Sequence, residues 1–90
     1  MEKIRNYKDF PKLREQLKKW RKRFPMFAHD VKTFDSMLEK HMKEHMEHII
    51  KYKQSRRESH LIKAQEELDH INRIIVTISK VELMAILSKG

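Results

Sequence analysis

The sequence predicts an all-α fold: a short basic N-terminal helix, then a long antiparallel helical hairpin that dimerises into a helical bundle. Three observations carry this. The chain has 90 residues but only one Gly and two Pro, too few turn formers for a β-rich domain of that size. Apolar residues recur at alternating spacings of 3 and 4 in three separate segments, which is the period of a helix face. Charged and apolar residues are almost equally common, at 38% and 39%, the mixture that amphipathic helices need. The length suits a single domain spanning residues 1–90.

The first helix is expected over residues 10–24. Asp9 stands where an N-cap belongs, and Pro11 is tolerated in a first turn because its missing N–H would be unpaired there anyway. Phe10, Leu13, Leu17, Trp20 and Phe24 form one apolar stripe, and the other faces are mostly Lys and Arg. Pro25 closes the segment, since the residue before a proline avoids the α region.

The second helix is expected over residues 27–56, or from Asp30. On a helical wheel Phe27, Val31, Phe34, Leu38, His45, Ile49 and Tyr52 fall within about 60°. Residues 53 to 60 then carry no apolar side chain. The third helix, over residues 59–88, repeats a heptad through Leu61, Ala64, Leu68, Ile71, Ile75, Ile78, Glu82 and Ala85. Its stripe is out of phase with that of the second helix by about 100° if the two are continuous. A turn near residues 53–60 removes the conflict, with Ser55 and Glu58 placed for a capping box. A single unbroken rod is the alternative.

Between Ile74 and Leu87, ten of fourteen residues are apolar and surround the wheel. A helix apolar on all sides is buried on all sides. The reading is therefore self-association, with Ile71, Ile74, Ile75, Ile78, Val81, Leu83 and Ile86 as the oligomer interface.

Charge is distributed unevenly. Residues 1–24 hold ten basic and three acidic side chains, a balance of +7, whereas residues 25–90 hold eleven and ten. Such an asymmetry is a statement about partners, because a core does not require it. Lys12, Arg14, Lys18, Lys19, Arg21, Lys22 and Arg23 are the candidate anion-binding residues of the first helix. Lys51, Lys53, Arg56 and Arg57 form a second cluster at the expected turn, with Lys3, Arg5 and Lys8 expected to join it in space. The partner is read as nucleic acid or a nucleic-acid-associated protein. An acidic protein surface engaged by an adaptor or inhibitor is the alternative. An anionic membrane surface is a further rival, met by Trp20 and the rest of the first stripe.

His41, His45 and His48 lie on one side of the second helix at i, i+4 and i+7. Two imidazoles at that spacing can hold a Zn or Ni ion, so a transition-metal-binding helical protein is the further alternative. The plainer reading packs these rings, hydrogen-bonded, in the helix–helix seam. Glu67 and His70 form a Glu-x-x-His pair, half of a di-iron ligand pattern. The second such pair is missing, and both residues are read as a solvated face.

Catalysis has no support in the sequence, and no cofactor is expected. The chain lacks Cys, a Gly-rich phosphate loop and any serine elbow, and its paired carboxylates lie among Lys and Arg as ordinary surface ion pairs do. No apolar run has the roughly 18 residues of a membrane span, and the N-terminus has no secretory h-region, so a cytoplasmic location is expected.

Overall fold

A computed structural model describes residues 2–88, apart from the side chains of residues 27–31, and shows an all-α fold with three long helices. A single 3-10 turn, Tyr7–Asp9, leads into α1, Phe10–Arg23. A second 3-10 turn, Pro25–Phe27, joins α1 to α2, Ala28–Ser55, and two residues separate α2 from α3, Glu58–Ser88. The molecule measures 53 × 18 × 17 Å. Its long axis is set by α3, because 31 residues at 1.5 Å each reach about 46 Å.

The expected stripes form the core. All five apolar residues of the α1 stripe are buried. From α2, Leu38, Met42 and His45 are buried, and Phe34, Ile49 and Tyr52 are half-buried. Phe27 and Val31, assigned to the same stripe, lie outside the described side chains. From α3, Ala64, Leu68, Ile71, Ile74, Ile75, Ile78 and Ala85 are buried. Leu61, placed in that seam by periodicity, is 39% exposed, and Glu82 is half-buried.

The registry of α2 against α3 is fixed by side chains. His41 meets Glu67 and His70, His45 meets Ala64, and His48 meets His60. The partner number falls as the α2 number rises, so the two helices run in opposite directions. Along α1, Phe10 meets His45, Arg14 meets Glu39 and Arg21 meets Asp35, so α1 also runs against α2. One face of the long pair is thereby roofed by the α1 stripe.

The ends of the helices depart from the sequence reading. Asp9 makes no capping bond to α1; its carboxylate accepts from the Arg5 N–H at 2.8 Å, while Asn6 caps the preceding 3-10 turn. The expected capping box at Ser55 and Glu58 does not form. The Ser55 hydroxyl instead bonds back to the Lys51 carbonyl at 2.8 Å. Arg56 takes φ 60° and donates its N–H to the Tyr52 carbonyl at 2.7 Å, closing α2 with a left-handed cap normally filled by glycine.

The N-terminal arm is the element that periodicity did not reveal. Ile4 is buried, and its backbone N–H and C=O pair with the Asn72 side-chain amide at 2.8 and 3.0 Å. The chain therefore doubles back from α1, and Lys3 lines a groove with Arg73, Thr77 and Lys80. This overturns the expected merger of Lys3 and Arg5 with the turn cluster, because the arm runs toward the middle of α3 and away from residues 51–57.

Ile71, Ile74, Ile75 and Ile78 also change assignment. Periodicity alone puts them at a subunit interface, but within one chain they are already covered by α1 and α2. The apolar girth of α3 is covered in part by the roof that α1 supplies. Val81 is half-buried against the same core. Exposed apolar side chains cluster further along, Leu83 at 56%, Met84 at 69% and Leu87 at 68% with Ile86; Val76 is exposed between the buried isoleucines, and Leu61 and Ile62 at the start of the helix.

Candidate functional site

The cationic faces divide into two kinds. On α1, the cations that flank the docked stripe meet acids. Arg14 forms a two-pronged pair with Glu39, at 2.7 and 3.0 Å. Arg21 pairs with Asp35, Arg23 with Glu82, Lys12 with Glu2 and Lys18 with Glu15. The hydrogen bond to Glu39 pushes the Arg14 guanidinium up, and the same bond holds the Glu39 carboxyl below its ordinary range. These pairs are largely exposed, so each contributes at most about 1 kcal/mol. Of the seven α1 candidates, Lys19 and Lys22 have no ion-pair partner among the described residues.

At the α2–α3 turn the arrangement is different. Lys51, Lys53, Arg56 and Arg57 are all exposed, and none forms an ion pair among the described residues. The Arg56 guanidinium lies 5.9 Å from the centre of the half-buried Tyr52 ring, a cation–π contact that leaves its charge uncompensated. His60, one turn into α3, is held below the usual imidazole range, first by loss of hydration and then by the charges of Lys51, His48, Lys63 and Arg57.

The histidines line the seam between α2 and α3, but they do not share one site. His45 is buried; its Nδ1 donates to the Ala64 carbonyl at 2.8 Å, and its ring meets Phe10 edge to face at 5.7 Å. A carbonyl only accepts, which fixes the proton on Nδ1. His48 stacks on His60 with centroids 6.2 Å apart. His41 stacks flat on His70 at 5.0 Å, and its Nδ1 lies 2.5 Å from a Glu67 oxygen. The expected triplet is thus spread over three separate contacts with α3.

Glu67 and His70 therefore do not form the remote solvated face expected of them. Glu67 is half-buried against α2, and His70, though exposed, covers the His41 ring. Burial pushes the Glu67 carboxyl up. The hydrogen bond from His41, with the charges of His41 and His70, outweighs this and holds it below its ordinary range. His41, Glu44 and Glu67 place ligand atoms within 4.8 Å of one another, a grouping found among the described residues in place of the triplet. The usable signal was His41-x-x-Glu44 facing Glu67-x-x-His70, two mirrored half-motifs that meet only when the helices run antiparallel.

No family model matches this chain, no curated protein matches it, and no solved structure matches it. No helix among the described residues is long and apolar enough to cross a membrane.

Proposed function

We propose that this protein is a small non-enzymatic basic helical module that binds a polyanion, nucleic acid in the first instance, through the turn cluster and the outer face of α1. The observation that carries the reading is the set of exposed cations at one end of the helix pair that form no ion pair among the described residues: Lys51, Lys53, Arg56 and Arg57. Phosphates supply the charge these side chains lack, and each neutralised phosphate releases counterions. Lys19 and Lys22 extend the footprint along α1. Insertion of α1 into a membrane is disfavoured, because its five stripe residues are already buried against α2 and α3.

Self-association belongs to the same reading. The contact is moved outward from the isoleucine ladder to Val76, Leu83, Met84, Ile86 and Leu87, which a second copy would cover as two helix pairs form a larger bundle. Sedimentation of Leu83→Asp and Leu87→Asp variants tests it; oligomers unaffected by both changes reject this contact.

A second reading has its own observation. Arg14, Arg21 and Arg23 already engage carboxylates on the neighbouring helices, so the same guanidinium face accepts acidic side chains and could be traded onto an acidic protein. One titration series separates the two. Fluorescence anisotropy with single-stranded RNA, duplex DNA and a poly-glutamate peptide is followed against salt. The nucleic-acid reading predicts tight, steeply salt-dependent binding that a reversal of the four turn cations to Glu weakens and makes less salt-dependent. Binding to neither nucleic acid at low salt overturns it.

A further inference from the structure

We propose that His41, Glu44 and Glu67 form a binding site for one divalent transition-metal ion of the Zn(II) type, located halfway along the α2–α3 seam. Each helix contributes through its own spacing. His41 and Glu44 stand three residues apart on one face of α2, and Glu67 enters from α3 directly opposite. Their ligand atoms lie within 4.8 Å of one another. An ion with metal–nitrogen and metal–oxygen bonds of about 2.0–2.2 Å spans ligands up to roughly 4 Å apart, so side-chain rotation alone closes the site.

The surroundings fit a bound cation. The His41 and Glu67 side chains are only 19% and 15% exposed, which partly excludes competing water. Glu44 and Glu67 bring two carboxylates to His41, whose Nδ1 lies 2.5 Å from a Glu67 oxygen. A divalent ion balances two carboxylate charges and takes the place of the His41–Glu67 hydrogen bond. One imidazole and two carboxylates are a donor set that Zn(II) accepts, and the fourth position stays open to water. His70 braces the site. Its ring lies 7° from parallel with His41 at 5.0 Å, so the in-plane lone pairs of the two rings run side by side and do not converge on one ion. His45 and His48 take no part, being held by Ala64 and His60.

The test uses the full chain, stripped with a chelator and titrated with Zn(II), and with Co(II) as the spectroscopic probe. We expect one ion per chain, a Tm that climbs with free Zn(II), and Co(II) absorption of low-coordinate N/O type. Glu44→Gln and Glu67→Gln preserve side-chain shape and hydrogen bonding; each is expected to weaken Zn(II) by more than about tenfold with helical circular dichroism unchanged. His48→Gln is expected to bind as the parent does. On titration the His41 ring nitrogens are expected to shift in imidazole NMR spectra, with those of His45 and His48 static, a readout that needs no variant to fold. Absence of Zn(II) binding by the parent chain, parental affinity in both Gln variants, or shifts confined to His45 and His48 overturns the proposal.

Discussion

The N-terminal helix and the α2–α3 turn are both rich in lysine and arginine, yet they hold their charge in opposite ways. Along α1 most of the cations are answered by acids on the same helix, the arm, α2 or α3, and the helix itself is pinned by a buried stripe. At the turn, Arg56 and Arg57 in the two-residue connection and Lys51 and Lys53 at the end of α2 form no ion pair among the described residues. Charge density along a sequence and charge available to a partner are thus different quantities. The region with the larger sequence excess is the one with more of its charge internally matched.

This contrast can be broken from either side. The largest effect is expected from Leu17→Ala, which removes the centre of the α1 stripe at a site 5% exposed. It should lower stability by about 2–5 kcal/mol in denaturant unfolding, and the comparison fails if α1 proves separable at no cost. Next comes reversal of Lys51, Lys53, Arg56 and Arg57 to Glu. The slope of log affinity for nucleic acid against log salt should fall by about 3–4, while reversal of Arg14, Arg21 and Arg23 moves it less. Arg56→Gly follows. A left-handed backbone costs a residue with a Cβ about 1 kcal/mol or slightly more, so glycine at φ 60° should stabilise the fold by up to about that amount.

The smallest effect belongs to the Arg14–Glu39 pair, whose coupling in a double-mutant cycle should be about 0.2–1 kcal/mol. Its pH dependence has a definite sign. The Glu39 carboxyl is lowered in the fold, so the unfolded chain binds the proton more readily. The contribution is therefore present above the ordinary value of 4.5 and lost as pH falls below it through the depressed folded value. A coupling that grows in acid would contradict the pairing.

The all-α class and the three stripes were legible because a 3.6-residue period is a local property. Phe10, Leu13, Leu17, Trp20 and Phe24 needed only their own spacing to be placed inside. What depended on registry was not legible. Glu67 reads as a surface acid until the antiparallel register sets it against His41. The isoleucines from Ile71 to Ile78 read as a partner's contact because no local signal says where α1 will lie. The arm has no period at all, and its burial turns on a single residue, Ile4, and on an amide 68 positions away. At the turn, the absence of glycine concealed a left-handed position that Arg56 occupies against its own preference.

The Asn72 clamp has one more consequence. It grips the main chain of Ile4 through both N–H and C=O, and among the arm's described side chains only that of Ile4 enters the core. Lys3 and Arg5 are exposed on either side of the gripped residue. Their identity is therefore decoupled from folding, and the arm is a socket in which charge can be exchanged without rebuilding the molecule. Acidic, neutral and basic versions of those two positions would give a graded series of surface potentials on one unchanged scaffold.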